Sequence, residues 1–587
     1  MTSSNSIRIF LWAVLGIALW LNYQAWYKDY DLQPTTVPVA GAHASSSGTP
    51  ALGESVPQVS QGGASASAPS AGVPGTSSAT PAAGAAGASA SSSAGTGPSL
   101  PAGTAAGATA VGTTIHVRTD VLDVRFSLRG GTLVSAKLLK YPRVKGQPEP
   151  VELENHDNPD SIYVMQSGLT GPGPHPTQNA SFTSSASEYQ LSAGARELVV
   201  PLTWSDGHGV SVVKKFVFRR GDYGIELQQT VENHSDAPWQ AAPYVQILRN
   251  DPPTKRSYFN VESYAFHGPA IYDGTKYRTL PLTTESNHHL ALDARDAWIA
   301  APQHHFVSAA VPAPNQLDQI TLNVQDNLYA LTVLGPLAVV APAATQTFED
   351  KLFVGPKLHS QLEAVSPTLT LVSDYGRLTI LARPLFKALS FVHGLTHNWG
   401  VAIICVTFLL KLLFYPLSET SGRSMAKMKA LAPRIKTIQE TYKDDREKQG
   451  RAMMELYQRE KVNPLTGCLP TIIQIPVFIA FYWVLLESVE MRQAPFFGWI
   501  QDLSSRDPYF ILPLIMAGAM FVQYKLNPAP PDPVQARVMM IMPLAMSVMF
   551  AFFPAGLVLY WVTNTILSIA QQWNINRRIA AASAGKS

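Results

Sequence analysis

The chain has 587 residues, enough for several domains, but only 14% of them are charged, against about 25% in ordinary soluble proteins. Its 44 Lys and Arg and 41 Asp and Glu give a formal net charge of +3, which excludes the strongly basic composition of a nucleic-acid binder. The two cysteines, Cys405 and Cys468, provide neither a disulfide framework nor a zinc-ligand spacing. The apolar surplus predicts a protein that lies partly in lipid.

The first predicted element is an apolar helix over residues 9–26, about long enough to cross a bilayer core. Arg8 precedes it and Lys28 follows it. No small-residue cleavage site of the A-x-A type comes soon after the apolar run, as a cleaved signal peptide would require. We therefore predict an uncleaved N-terminal transmembrane signal anchor at residues 1–30.

Residues 31–114 are predicted to form a disordered tether. From Pro34 to Thr114 the sequence consists almost entirely of Ala, Gly, Ser, Thr and Pro, and Glu54 is its only Asp, Glu, Lys or Arg. Such a segment has too little apolar surface to repay the entropy lost on ordering. As a random coil of about 80 residues it would reach roughly 50 Å. We expect it to space two domains and to have no binding role of its own.

Residues 115–355 have the pattern of an all-β domain. Val124, Phe126 and Leu128 alternate with polar residues before a turn at Gly130-Gly131, and residues 212–218 and 225–232 repeat the alternation. Many short strands separated by turn signals favour an antiparallel sandwich. The pairs His288-His289 and His304-His305 lack metal-ligand spacing, and neighbours on a strand point to opposite faces. We interpret these histidines as surface residues and predict no catalytic, metal or cofactor site.

Residues 356–396 are predicted to contain an amphipathic helix lying in the membrane interface, interrupted at Pro384 within residues 375–392. The region 397–577 then forms a core of five membrane helices. Their predicted bounds are 397–417, 466–486, 508–526, 538–553 and 556–574. The last two are joined by a tight turn at residues 553–556.

The charges orient these predicted spans. Residues 419–461 carry eleven Lys or Arg and seven Asp or Glu, an excess that marks a cytoplasmic loop. Counting six spans from this loop places both termini in the cytoplasm. The C-terminal end is a short cytoplasmic tail at 578–587, and residues 31–396 lie largely in a bacterial periplasm. Helical spacing predicts that 419–461 is a hairpin of two amphipathic helices. It either sets topology alone or also receives lipid, RNA or a nascent chain. Its candidate residues are Met425, Lys427, Met428, Lys443, Asp444, Asp445 and Arg446.

Lys411 is the candidate functional residue of the core. It interrupts an apolar run, and a charge at the centre of a membrane helix costs roughly 2.5–3.5 kcal/mol on insertion scales. Thr407 lies four residues earlier and shares its helical face, while Gln474 lies in the next span. Trp561, Asn564, Thr565, Ser568 and Gln572 form one stripe on the last span. Each polar residue alone is explained by hydrogen bonding between helices; together with Lys411 they predict a wet groove.

Methionines crowd two of the predicted spans. Met is unbranched and polarizable and adapts to unrelated apolar partners. These residues either simply face the lipid or form a surface that accepts different hydrophobic helices. We call that possible surface the hydrophobic slide, and its candidate residues are Met516, Met520, Met539, Met540, Met546 and Met549.

Several ordered motifs carry a resemblance to a known family. They are Asn398-Trp-Gly400, Tyr415-Pro-Leu417, Met425-Ala-Lys-Met428, Glu460-Lys-Val-Asn-Pro-Leu465, Gln474-Ile-Pro476, Val489-Glu-Met-Arg-Gln-Ala-Pro495 and Phe553-Pro-Ala-Gly-Leu-Val-Leu-Tyr560. Over essentially its full length the chain resembles the YidC/Oxa/Alb family of membrane protein insertases, in its Gram-negative form.

The resemblance implies a polytopic α-helical membrane protein of the inner membrane with six transmembrane helices and a periplasmic β super-sandwich. It implies an insertase and chaperone without covalent catalysis, acting alone or with the Sec translocon on nascent membrane proteins. The ribosome and the signal recognition particle receptor are further implied partners, besides the bilayer. The family's groove positions match Lys411, Thr407, Gln474 and Trp561, with Asn564 and Thr565 beside them. No cofactor is implied.

The chain departs from the family at the groove charge, where it has Lys411 and most relatives have Arg. Lysine is a point charge without the planar fork of Arg, so we expect electrostatic attraction of a substrate carboxylate rather than a bidentate grip. The tail after Arg578 is also short, so we expect no strong ribosome-binding extension.

Two other functions remain open. An ion-coupled transporter would use Lys411 as its titrating group, but the chain lacks the repeated halves typical of that class. A membrane-anchored sugar-binding β domain would leave Lys411 without a role. The sequence also lacks the G-x-x-x-x-G-K-[ST] phosphate-binding motif, which agrees with insertion that uses no nucleotide.

Overall fold

The computed structural model of the chain describes residues 52–58, 114–158, 161–251, 265–373, 378–443, 445–460, 464–526 and 533–584. The predicted anchor at residues 1–30 and most of the predicted tether lie outside the described residues. Strands occupy residues 114–356 and helices dominate from residue 359 onward.

The β domain consists of two packed sheets. One sheet has the strand order β13, β16, β17, β10, β5, β4, β3, β2, β1, β6, with β18 pairing β10, and the other has the order β12, β11, β14, β15, β19, β9, β8, β7. Pairing within the described residues is antiparallel except between β1 and β6. The strands are β1 (Thr114–Arg118), β2 (Leu122–Ser127), β3 (Thr132–Pro142), β4 (Pro150–Asn155), β5 (Tyr163–Thr170), β6 (Glu188–Gln190), β7 (Glu197–Ser205), β8 (Val210–Arg219), β9 (Gly224–Asn233), β10 (Trp239–Asn250), β11 (Ala270–Tyr272), β12 (Tyr277–Thr279), β13 (His289–Arg295), β14 (Trp298–Pro302), β15 (Phe306–Pro312), β16 (Leu317–Gln325), β17 (Leu328–Leu334), β18 (Ala338–Val340) and β19 (Thr345–Pro356).

The predicted alternation sets which side chains enter the core. Val124 and Phe126 are fully buried, and the Phe126 ring packs on Phe216 of β8 with centroids 4.3 Å apart. Gly130 and Gly131 adopt φ of +75° and +59°, the left-handed backbone that a turn between strands requires and that glycine adopts without strain. The predicted antiparallel sandwich is confirmed.

Nine helices of the described residues form or flank the core. They are α1 (His359–Val365), α2 (Thr379–Thr396), α3 (Trp399–Leu413), α4 (Tyr415–Thr441), α5 (Arg446–Arg459), α6 (Pro464–Glu487), α7 (Ile511–Leu526), α8 (Pro533–Phe550) and α9 (Ala555–Ala584). The long helix α9 packs against α3, α4 and α7. A buried apolar cluster packs α3, α6 and α9 together. It includes Ile403 of α3, Phe481 of α6 and Tyr560 of α9.

Several helix boundaries differ from the prediction. Helix α9 runs to Ala584, whereas the last predicted span ends at residue 574. Pro384 lies inside α2 and does not interrupt it. A helical proline frees one carbonyl four residues earlier, here that of Ile380, whose side chain is 83% exposed. The hairpin helix α4 starts at Tyr415 rather than after a completed span, because the chain bends by 62° at the single residue between α3 and α4.

The hairpin formed by α4 and α5 packs through Leu431, Ile435 and Leu456. Asp445 caps α5, since its carboxylate accepts a hydrogen bond from the Lys448 backbone N–H at 3.0 Å. The two predicted amphipathic helices are therefore present. Asp444 and the side chain of Arg446 lie outside the described residues.

Within the described residues, no helix taken singly has both the length and the hydropathy of a membrane span. The bent pair Trp399–Leu413 and Tyr415–Met428 meets both criteria when taken together, and shorter apolar helices cover Ile472–Glu487, Ile511–Leu526 and Met540–Phe550. The count of six spans stays a prediction.

Candidate functional site

A cavity of about 320 Å³ lies between helices α3, α4, α6, α7 and α9. Each of these helices contributes at least one polar side chain to its wall. The polar lining consists of Lys411 from α3, Ser418 and Ser421 from α4, Gln474 from α6, Gln523 from α7, and Tyr560, Trp561, Asn564, Thr565, Ser568, Gln571 and Gln572 from α9. We call this cavity the groove.

The α9 wall follows from helical spacing. Its predicted stripe, Trp561, Asn564, Thr565, Ser568 and Gln572, recurs at intervals of three and four residues, so these side chains share one face. All five line the groove. The sequence thus identified the wall that contributes most of the polar groups.

Lys411 reaches across the groove to this wall. Its Nζ donates a hydrogen bond to Ser568 Oγ at 2.8 Å, and Ser568 Oγ donates to the Asn564 carbonyl at 2.7 Å. Gln571 Nε2 donates to the Lys411 carbonyl at 3.2 Å. Among the lining residues that the structure describes, Lys411 carries the only charge, and its polar partner is neutral.

Gln474 and Asn564 join α6 to α9 by a hydrogen bond from Gln474 Nε2 to Asn564 Oδ1. Beyond them, Trp561 packs edge-on against Phe478 with centroids 4.6 Å apart. Tyr560 stacks on Phe481 at 4.4 Å. Aromatic rings therefore close the end of the groove where α9 begins, while amides and hydroxyls line the rest.

Thr407 lies in the wall rather than in the open groove. It is 1% exposed, and its hydroxyl donates to the Ile403 carbonyl of its own helix at 2.6 Å. It borders a smaller cavity of about 30 Å³ that Lys411, Gln474 and Asn564 also line. The prediction that Thr407 and Lys411 share a face agrees with this arrangement.

The predicted slide residues fall into different environments. Met540 and Met549 on α8 are 48% and 47% exposed, Met546 is half-buried, and Met520 lines the groove. Met516 is fully buried in the helical cluster, because it lies on the side of α7 that packs against the other core helices. It therefore does not belong to an exposed surface. The Met539 side chain lies outside the described residues.

The prediction missed five polar lining residues. These are Ser418, Ser421, Gln523, Tyr560 and Gln571. Gln523 interrupts an apolar helix in the same way as Gln474, so the same criterion applied to every span would have found it. Ser418 and Ser421 lie three residues apart at the start of α4, where their helical spacing was the available signal.

The hairpin residues divide between the groove and the surface. Met425 lines the groove and Met428 packs against the hairpin cluster. Lys427 and Lys443 are exposed. Asp445 lies 3.1 Å from Lys448, and Arg434 lies 2.7 Å from Glu460. Exposed pairs of this kind contribute roughly 0–1 kcal/mol to stability, so they do little to hold the hairpin together. Their charged side chains face the surroundings of the hairpin.

The interpretation of His304 and His305 as surface residues was wrong. Both lie in the turn between β14 and β15, and their rings stack with centroids 3.8 Å apart, which residues in a strand could not do. His304 Nε2 lies 2.9 Å from the Leu486 carbonyl of α6. Burial, helped by the nearby Lys357, lowers the pKa of His304 to about 4, so this contact is made by a neutral ring at neutral pH.

These histidines belong to a junction between the β domain and the core. Lys357 and Glu487 form a buried ion pair there at 3.7 Å. Arg492 donates to the Pro142 carbonyl at 2.9 Å. The β domain is thus seated on the end of α6, the helix that also supplies Gln474 to the groove.

Comparison with known proteins agrees with this architecture. Residues 391–582 match the family described as 60Kd inner membrane protein, and residues 114–388 match the YidC periplasmic domain. The membrane protein insertase YidC of Thioalkalivibrio sulfidiphilus is 42% identical over 98% of this chain and 99% of its own length. The YidC proteins of Methylococcus capsulatus and Nitrosococcus oceani are 46% and 47% identical over 79% of this chain and 86% of theirs.

A solved structure described as an active YidC insertase with its first transmembrane domain resolved is 19% identical to this chain. It aligns with a TM-score of 0.37 over 78% of this chain and 92% of its own. The family membership rests on the sequence matches, which cover both the β domain and the helical core. The chain belongs to the YidC family of membrane protein insertases.

Proposed function

We propose that the groove receives a polar or acidic segment of a membrane protein during its insertion, with Lys411 as the attracting charge. The observation that carries the proposal is the isolation of that charge. Its Nζ faces a cavity whose described lining is otherwise neutral, and its hydrogen-bond acceptor there is a hydroxyl. A carboxylate entering the groove would therefore meet an ammonium that no lining acid has neutralised.

The neutral lining supports the same function. A polar segment moved into hydrocarbon loses its hydrogen bonds to water, at a cost of several kcal/mol for each unsatisfied group. Side chains such as Gln474, Gln571 and Gln572 offer both donors and acceptors. They can satisfy the backbone of an arriving segment whatever its sequence, which suits a protein that handles many substrates.

A single lysine favours attraction over tight capture. Lys presents rotatable donors, whereas Arg presents a fixed fork that grips a carboxylate in two places. A weakly held segment can leave again, and release is as necessary to insertion as entry. We therefore assign Lys411 to attraction and the neutral side chains to hydrogen bonding.

We assign the exit route to α8. Met540 and Met549 are about half exposed, beside the exposed Leu544 and Val548. An apolar helix leaving the groove would contact this face, and flexible methionines adapt to helices of different shape. Met520 and Met546 extend the slide in this proposal.

The remaining organisation is proposed with it. The chain would lie in the bacterial inner membrane through six spans, with both termini and the hairpin in the cytoplasm and the β domain in the periplasm. Nascent membrane proteins and lipid are the proposed partners at the groove. The Sec translocon, the ribosome and the signal recognition particle receptor are further proposed partners.

Crosslinking to a stalled nascent chain tests the proposal. A photoreactive residue at Gln571, which lines the groove, or at Met540 should crosslink to a stalled substrate. The matched control is Trp573, which lies on the same helix as Gln571, is 59% exposed and does not line the groove. Equal crosslinking from positions 571 and 573 would contradict a groove pathway.

A further inference from the structure

Seven residues of the predicted tether, Leu52–Gln58, lie on the β domain. This departs from the expectation that residues 31–114 have no binding role; for the rest of the tether that expectation stays a prediction. The segment begins with a turn in which Ser55 Oγ donates to the Leu52 carbonyl at 2.7 Å. It then crosses the outer face of the sheet at β5 and β10.

The β domain holds this segment by its backbone. The carbonyls of Gly53, Glu54, Ser55 and Pro57 each accept a hydrogen bond from a side chain of the β domain. The donors are Gln166 at 3.2 Å, Asn179 at 3.0 Å, Gln178 at 2.9 Å and Thr170 at 2.8 Å respectively. Four side chains that contact a single short segment in this way form a binding site for extended peptide backbone.

The segment covers three of these donors: with it in place, Gln166, Thr170 and Gln178 are 9%, 6% and 3% exposed. The Gln178 amide is oriented from behind, because Tyr244 OH donates to its Oε1, so that Nε2 faces the segment. A Cβ on Gly130 would lie 2.4 Å from the Gln178 carbonyl, so the close packing of this loop depends on that glycine.

Two side chains of the segment add selectivity. Leu52 packs against an apolar cluster of Val134, Val164, Leu248 and Ala330. Glu54 lies 3.3 Å from Arg129 at the rim. The cleft therefore recognises an apolar residue, an acidic residue two positions later, and the carbonyls of the backbone around them.

The cleft also has capacity that the segment leaves unused. Gln166 and Gln246 are register partners on β5 and β10, and both are at least nine-tenths buried. Their Oε1 atoms have no hydrogen-bond partner among the described residues. A buried acceptor without a donor costs about 1–3 kcal/mol, and a peptide that replaces the segment could satisfy it with a backbone N–H.

We propose that this cleft is a peptide-binding site of the β domain and that Leu52–Gln58 is its resident ligand. The attachment shortens the chain between the predicted anchor and the β domain from residues 31–113 to residues 31–51. A covalently linked segment has a high effective concentration at its site, so a separate peptide of the same chemistry binds only after the segment is displaced.

Proteolysis of the full chain in detergent tests the attachment. Glu54 is the only Glu among residues 34–114, so a protease that cuts only after Glu reports on this segment. A Ser92→Glu background supplies a reference site elsewhere in the tether. Cleavage at Glu54 is expected to be at least tenfold slower than at the reference site, since a protease needs a locally open chain.

Release of the segment should abolish that difference. Leu52→Asp removes the apolar contact without changing the β domain, and Thr170→Val removes one donor with little change in shape. Both should raise cleavage at Glu54 toward the reference rate. Leu32→Asp in the tether and Thr183→Val, which removes a hydroxyl from another site of the domain, are the controls. Unprotected Glu54 in the unaltered segment, or protection that survives both Leu52→Asp and Thr170→Val, overturns the proposal.

Binding in trans tests the ligand chemistry. A labelled peptide with the sequence of residues 52–58 should bind saturably to the full chain carrying Leu52→Asp, and at least tenfold more weakly to the chain with its segment in place. The peptide with the same Leu-to-Asp change is the control. Failure to bind the Leu52→Asp chain at millimolar peptide overturns the site. Neither experiment measures insertion, so a failure of the groove proposal would not affect them.

Discussion

Lys214 of the β domain and Lys411 of the helical core both lie without an acidic partner among the described residues, but their surroundings differ. Lys214 is fully buried, and its Nζ donates to the carbonyls of Gly130 and Ser167, each at 2.7 Å. The Phe182 ring lies 4.8 Å from the same nitrogen. Lys411 is only partly buried, lines a cavity and donates to one hydroxyl.

Under the groove proposal, this difference separates a structural cation from a functional one. The Lys214 ammonium satisfies two buried carbonyls and has no route to a ligand, so it joins β8 to the Gly130 turn and to β5. Lys411 satisfies no buried carbonyl with its ammonium and faces open space. Burial of a charge without an acid is therefore not evidence of function by itself; access to the charge is what distinguishes the groove.

The largest expected effect concerns stability. Lys214→Met leaves the Gly130 and Ser167 carbonyls without this donor, and a buried acceptor that loses its partner costs about 1–3 kcal/mol. We expect the free energy of unfolding of the β domain to fall by about 2–4 kcal/mol. Lys411→Met is the matched variant and should leave unfolding nearly unchanged. Denaturant unfolding of the full chain measures both, and equal losses would remove the distinction between the two lysines.

A pH profile sharpens the same comparison. Burial lowers the pKa of Lys214 from 10.5 to about 7, so between these values the unfolded chain binds a proton that the folded chain does not. Stability from this group therefore rises with pH across that window. From pH 7 to 8.5 the expected gain is roughly 1–2 kcal/mol, since one pKa unit corresponds to about 1.4 kcal/mol. The difference between the wild-type and Lys214→Met profiles isolates it, and parallel profiles would contradict it.

Removing the groove charge should affect insertion instead. In vesicles containing the purified chain, we expect Lys411→Leu to reduce insertion of a substrate with an acidic translocated segment about tenfold, a change of about 1.4 kcal/mol. Lys411→Arg should support insertion because it keeps the charge. The same substrate with its acids changed to amides is the control and should depend much less on Lys411. Equal insertion by the wild type and Lys411→Leu of the acidic substrate would sink the groove-charge mechanism.

The smallest expected effect is at Ser568. Ser568→Ala removes the hydroxyl that accepts from Lys411, but water in the cavity can replace a single hydrogen bond at little cost. We expect insertion within about twofold of the wild type. A loss as large as that of Lys411→Leu would show that the position of the ammonium, rather than its charge, limits insertion.

Sequence patterns predicted the parts of the molecule that repeat. The alternation of apolar and polar residues predicted the sandwich, because every second side chain of a strand points to the same face. Val124 and Phe126 reach the core in this way. Spacing of three and four residues identified the α9 wall of the groove, and Lys411 was conspicuous because a charge in an apolar run is costly. The family resemblance was carried by ordered motifs that span the same two regions.

What the sequence did not show depends on particular contacts. The composition of the predicted tether, averaged over about 80 residues, gave no sign that Leu52 and Glu54 make contacts. Those contacts depend on a cleft formed by residues far along the chain. Met516 could not be separated from Met540, because in a helix that is apolar all round periodicity does not reveal the buried face. The stacking of His304 on His305 followed from a turn that alternation did not predict.

The 62° bend at Phe414 has a mechanical consequence. Helix α4 extends 27 residues beyond it, about 40 Å at 1.5 Å per residue, whereas Lys411 lies less than one turn before it. With Phe414 as the fulcrum, a 5° swing of this arm would carry its far end through about 3.5 Å and Lys411 through about 0.4 Å. A small change in this bend would therefore displace the far end of the hairpin several times farther than Lys411.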